Sequence, residues 1–196
     1  MANVDAPFGF RQVGGLGSRP TSEGTSKYTI AASFADSIFA GDIVEAGAGT
    51  SEGGTAIAAG YVGNAAATSS SRNLGIFNGC FYTDPTTSKP TFKNYWPASV
   101  AAEAQAFVYD NPDDLFEVQS EGTLVQATVA RAVDMAYTTG VTINGRSKEE
   151  ISVTAGADLA VRVVRISGDP ANSDIGSANA NWIVKFNQHI YYNYST

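Results

Sequence analysis

From Tyr28 onward, short apolar runs alternate with turn-forming residues, the signature of many short strands. Strand-like runs cover Lys27–Ala32, Ile38–Ala46, Ile57–Val62, Leu74–Tyr82, Ala106–Tyr109, Leu115–Gln119, Glu150–Thr154, Leu159–Ile166 and Trp182–Tyr192. The sharpest alternation is Leu159-Ala160-Val161-Arg162-Val163, with Arg165 again outward. Such strands bury one face and wet the other, as antiparallel sheets usually do. Asp84-Pro85, Asn111-Pro112 and Asp169-Pro170 punctuate the runs. Asn144-Gly145 fits a hairpin or a longer β-loop, because both residues tolerate positive φ. Asn78-Gly79 is crowded by apolar neighbours, so a bulge or bend fits it as well as a turn. Ser120–Tyr137 has apolar residues at helical spacing but is rich in valine and threonine; a short helix or turn followed by a strand is expected. No period of 20 to 50 residues repeats, which argues against a solenoid or propeller. The pattern predicts an all-β sandwich or barrel over residues 28–196, with at most one or two short helices.

Residues 1–27 read as an extended arm. Pro7 and Pro20 oppose a helix, and Gly9, Gly14, Gly15, Gly17 and Gly24 oppose any regular element. The arm nevertheless carries Val4, Phe8, Phe10, Val13 and Leu16, an apolar set foreign to a simply disordered tail. Spaced anchors on an extended segment suit contact with another molecule's surface, or packing back onto the arm's own domain. In the first case, removing residues 2–17 leaves the rest of the chain folded.

Composition narrows the partners. Charged residues are 16% of the chain and the formal net charge is −7. An acidic chain with scattered arginines and lysines is repelled by phosphate backbones, so nucleic acid is not an expected partner. No apolar stretch approaches the ~20 residues of a spanning helix, and no membrane partner is expected. Met1-Ala2-Asn3-Val4-Asp5 has neither the positive region nor the apolar run of a secretion signal. The expectation is a protein assembled in a cytoplasm and used there or released with a larger particle.

Candidate chemistry is sparse. Cys80 is the one cysteine and His189 the one histidine. Cys80 lies in an apolar-aromatic run that suits a buried, inert thiol, and His189 reads as part of a terminal strand. One Cys and one His cannot build a structural zinc tetrahedron. Asp113-Asp114 and Glu149-Glu150 are adjacent pairs, which strand geometry points to opposite sides, and Asp113-Asp114 reads as a polar turn. Gly14-Gly15-Leu16-Gly17-Ser18 lacks the Gly-Lys-Ser/Thr ending of a phosphate loop. No catalytic residue, metal site or cofactor is expected.

The aromatic content is more informative. Phe77, Phe81, Tyr82, Phe92, Tyr95 and Trp96 fall close together, interrupted by Pro85, Pro90 and Pro97. Aromatics beside prolines offer large apolar area at low ordering cost, as protein contacts and sugar platforms both use. The same residues could equally fill one end of the core.

Met1-Ala2-Asn3-Val4-Asp5-Ala6-Pro7-Phe8-Gly9-Phe10 and Gly75-Ile76-Phe77-Asn78-Gly79-Cys80-Phe81-Tyr82-Thr83-Asp84-Pro85 resemble the capsid cement, or head decoration, proteins of marine and freshwater tailed phages, including cyanophages. The likeness continues through Lys89-Pro90-Thr91-Phe92, Ala106-Phe107-Val108-Tyr109-Asp110-Asn111-Pro112-Asp113 and Phe186-Asn187-Gln188-His189. It implies a jelly-roll-like or barrel-like domain on the outer face of an icosahedral shell, with the major capsid protein as partner and no catalytic residue. The expected function is a structural virion protein, bridging capsomers and self-associating as a dimer or trimer. Its expected contact residues are Val4, Phe8, Phe10, Val13, Leu16, Phe81, Tyr82, Phe92, Tyr95 and Trp96. The rival reading is a glycan-binding β-sandwich module with Tyr82, Tyr95 or Trp96 exposed to sugar. A carboxylate-dependent hydrolase comes third.

Overall fold

Alternation along the last strands builds the first sheet. Val161, Val163, Trp182, Val184 and Phe186 point inward, while Arg162 and Lys185 take the opposite face. The computed structural model describes residues 3–17, 24–47, 49–66 and 73–192. Among them fourteen strands, numbered in chain order, form an all-β sandwich. The first sheet runs β1 (Arg11–Gly15), β10 (Asp114–Gln119), β14 (Asn181–Phe186), β13 (Val161–Ile166), β11 (Ala132–Ala136) and β12 (Glu150–Gly156). The second runs β2 (Ser26–Ile30), β9 (Ala104–Tyr109), β6 (Asn73–Thr83), β4 (Ile43–Ala46) and β5 (Val62–Asn64). A further strand, β7 (Pro90–Lys93), pairs with the distal end of β6. The short ribbon of β3 (Ile38–Phe39) and β8 (Tyr95–Trp96) stands apart. All strand pairs are antiparallel.

Two cores result, one on each face of the second sheet. Between the sheets, Phe116, Trp182, Phe186 and Met135 meet Ile43 and Ile76, with Phe116 and Phe186 edge to face at 5.6 Å. On the other side, Leu74, Phe77, Cys80 and Val108 are capped by Ile38, Trp96, Phe34 and Ile57. Aromatic pairs of this kind add to the stabilisation from area alone.

The bulge at Asn78-Gly79 decides what β6 shows to each side. Phe77 pairs with Val108 and Cys80 with Ala106, so three steps on β6 match two on β9. Gly79 has φ +129°, and a Cβ there would sit 2.9 Å from the Lys93 carbonyl oxygen. The extra residue keeps Phe77, Cys80 and Tyr82 on one buried face and turns Phe81 outward.

Several boundaries depart from the sequence pattern. Ile38–Ala46 is two strands, because Gly41 (φ +102°) and Asp42 turn the chain between them. Of Ile57–Val62 only Val62 is in a strand, and the last run ends at Phe186, after which His189 packs in a turn. Asn144-Gly145 closes a longer β-loop in which Val141 and Arg146 pair. Ser120–Tyr137 gives a 3-10 turn at Gln126–Thr128 and then β11.

The arm belongs to the sandwich. Arg11–Gly15 forms β1 against β10, with Val13 as an extra bulged residue, despite its glycines. Phe10 is 3% exposed and lies in the inter-sheet core, and its N–H donates to the Gly41 carbonyl at 2.9 Å. Gly9 passes so near Ser147 that a Cβ would lie 2.5 Å from that residue's own. Loss of residues 2–17 would therefore open the core rather than leave it intact. The single change Phe10→Ala is expected to lower unfolding free energy by about 3–5 kcal/mol, measured by denaturant titration.

Candidate functional site

The ten sequence candidates divide between inside and outside. Tyr82 and Trp96, at 4% and 0% exposure, join Phe10 as core residues. The Trp96 ring meets Tyr82 edge to face at 5.7 Å, and its indole N–H donates to the Phe34 carbonyl at 3.0 Å. Their assignment as contact residues is corrected accordingly: strand alternation and the β6 bulge point them under the ribbon. Tyr95 is half-buried, stacked on Phe39 at 5.6 Å, with the Lys93 ammonium 5.5 Å from its ring centre. Phe8 is half-buried beneath the Arg11 guanidinium, 5.1 Å from the ring centre.

Two exposed apolar groups remain. Phe81 and Phe92 are directly opposite on β6 and β7, 39% and 59% exposed, and Phe92 lies 5.7 Å from Phe107 on β9. Three phenylalanines thus cross three adjacent strands on a rigid face. Phe107 escaped the sequence reading, although alternation over Ala104–Tyr109 puts it on the face of Gln105, opposite Ala106. The second group is Val13 and Leu16, which line a shallow cleft of about 410 Å³ with Leu115, Val164 and Arg165. Val4 is exposed further along the arm.

The arm itself is held by a clasp that the sequence did not announce. The fully buried Gln119 amide donates to the Val4 carbonyl at 3.0 Å and accepts from the Ala6 N–H at 2.9 Å. Buried Asn172 accepts from the Val4 N–H at 2.8 Å and donates to the same carbonyl at 3.0 Å. Asn181 presents its carbonyl oxygen 3.4 Å from both amide nitrogens. Asn3 adds bonds to the main chain of Asp174 and Ala178.

A cleft of about 280 Å³ lies between the arm and the β6 bulge, with Phe8, Arg11, Asn78, Asn94, Tyr109 and Arg146 among its walls. No carboxylate, cysteine or histidine is among its described lining residues. Burial pushes the Cys80 thiol up to about 12, which leaves it protonated and unreactive. Burial also holds His189 below its usual range, and its Nδ1 accepts from the Tyr191 N–H at 3.2 Å. Asp113 and Asp114 stand at a turn in which Asn111 accepts from the Asp113 N–H at 3.0 Å. Glu149 is buried and Glu150 half-buried, and the two are not arrayed across a cleft. Among the described residues no group of three His, Cys, Asp or Glu side chains is placed to hold a metal ion, and no helix is long and apolar enough to cross a membrane.

Comparison with family models, curated proteins and solved structures finds no match to this chain.

Proposed function

We propose that the chain is a structural virion protein, a cement or decoration protein that binds the outer face of an icosahedral phage shell and bridges its major capsid protein subunits. The observation that carries this reading is the Phe81–Phe92–Phe107 face, an apolar surface mounted on a sheet whose interior is already filled. The resemblance of the Gly75–Pro85 and Lys89–Phe92 segments to phage cement proteins falls on the same strands. Three such rings offer on the order of 250 Å² of apolar area, or about 6 kcal/mol if wholly covered. Ordering and immobilisation offset much of that, so repeated contacts across a lattice supply the remaining affinity. The work done is mechanical: many copies resist the separation of neighbouring capsomers without covalent chemistry.

The test is co-sedimentation with empty shells assembled from a tailed-phage major capsid protein. Wild type is expected to bind, and a Phe81→Ser, Phe92→Ser double variant to bind at least about tenfold more weakly with an unchanged melting temperature. Binding that ignores both substitutions would remove this face from the contact.

A second reading, a glycan-binding module, rests on the 280 Å³ cleft, because amides and a guanidinium beside aromatic rings suit a sugar. Saturable glycan-array binding that Asn78→Ala and Asn94→Ala abolish, with no affinity for shells, would favour it.

A further inference from the structure

The Gln119–Asn172 clasp recognises main chain rather than side chains. Both amides are buried: Asn172 engages the N–H and carbonyl of Val4, Gln119 the Val4 carbonyl and the Ala6 N–H, and none of these bonds depends on which residue occupies those positions. It is a built site for an extended peptide, continued by the β10 edge that pairs with Arg11–Gly15 and by the pocket that takes Phe10. Its occupant is attached to the sandwich through a weak point. Val13 interrupts the β1–β10 ladder, and Cβ atoms added at Gly14, Gly17 or Gly24 would meet nothing within 4 Å. At Gly14 and Gly24, neither packing nor a positive φ requires glycine.

We propose that residues 3–15 form an exchangeable strand, and that the clasp and the β10 edge also accept the same segment from a second copy of this chain. The contacts made are identical in the closed and exchanged forms, so their energies cancel. The balance is then set by the connection and by protein concentration. Covalent attachment within one chain corresponds to an effective concentration of order mM, and exchange overtakes self-docking when neighbouring copies approach that value. This inference is independent of what the protein coats.

Disulfide trapping reads it directly. Arg11 and Glu117 face each other across β1 and β10, so an Arg11→Cys, Glu117→Cys variant reports which chain supplies the strand. Light and ¹⁵N-labelled chains are mixed, incubated near about 1 mM, oxidised, and digested. Exchange predicts 11–117 disulfides joining heavy to light peptides, in a fraction that grows with concentration. Only heavy–heavy and light–light pairs at every concentration would overturn it. Native mass spectrometry of mixed wild-type chains provides the same reading should the double variant not fold: mixed dimers that dissociate slowly on dilution support exchange, and their absence contradicts it.

Discussion

Replacing Asp42 by Asn is expected to stabilise the protein by about 2–4 kcal/mol near pH 8 and to change little near pH 4. Asp42 is fully buried at the turn between β3 and β4, where its carboxylate accepts from the Phe39 N–H at 2.7 Å. That bond favours the charged form, but burial outweighs it and pushes the pKa from 3.8 up to about 7. The folded chain therefore keeps a proton that the unfolded chain has released. Below about pH 4 both states are protonated and Asp42 costs nothing. Between there and pH 7 the penalty grows, reaching about 4 kcal/mol once both states are ionised. Asn retains the carbonyl acceptor for Phe39 and never ionises.

Glu149 lies at the same junction and strengthens the expectation. Its Oε2 accepts from the Ile43 N–H at 2.9 Å, while its Oε1 is buried without a hydrogen-bond partner. Burial first, and the Asp42 charge second, hold it well above the ordinary carboxylate range. Removing either charge relieves the other, so Asp42→Asn and Glu149→Gln should gain less together than the sum of their separate effects. Denaturant midpoints across the pH range measure all three variants. Equal stability of wild type and Asp42→Asn near pH 8 would show the buried charge to be compensated. The junction also supports Phe10, through the Gly41 carbonyl, and Gly9, through Ser147, so its protonation bears on how firmly the arm is seated.

The sandwich was legible because short apolar runs recur between turn residues and alternation survives in β9, β13 and β14. The arm's destination was not, since Gly14 and Gly15 oppose a strand in every local rule and only the exposed β10 edge makes Arg11–Gly15 one. In the sequence Asp42 lies within the strand-like run Ile38–Ala46 and Glu149 belongs to an adjacent carboxylate pair, and nothing local marks either as buried. Their burial comes from the meeting of three segments remote in sequence, and no local pattern encodes that. The clasp is hidden for the same reason: Gln119, Asn172 and Asn181 acquire a role only when β10, β14 and the loop before β14 converge on Val4. The aromatic-proline region was correctly marked as dense, but density does not say which ring faces which way.

Trp96→Ala and Phe92→Ala separate those two directions. Trp96→Ala is expected to lower stability by about 3–5 kcal/mol, and Phe92→Ala by less than about 1 kcal/mol. The indole is wholly buried under the β3–β8 ribbon. Its removal empties the space beside Tyr82 and strands the Phe34 carbonyl that it satisfies. Phe92, four residues earlier, loses mainly its contact with Phe107 and gives up surface already in water. On the proposed function, shell binding should follow the opposite order per unit of stability: Phe92→Ala would weaken it in a fully folded chain, while Trp96→Ala would weaken it only as the folded fraction falls. Equal melting temperatures for the two variants would place Trp96 on the surface and undo the inside–outside division that the Asn78-Gly79 bulge imposes. The division matters because one extra residue in β6 fixes it. Were the same residues to run in unbroken alternation with no bulge, Phe81 would turn into the second core, Tyr82 would turn out, and the phenylalanine face would lose its central ring.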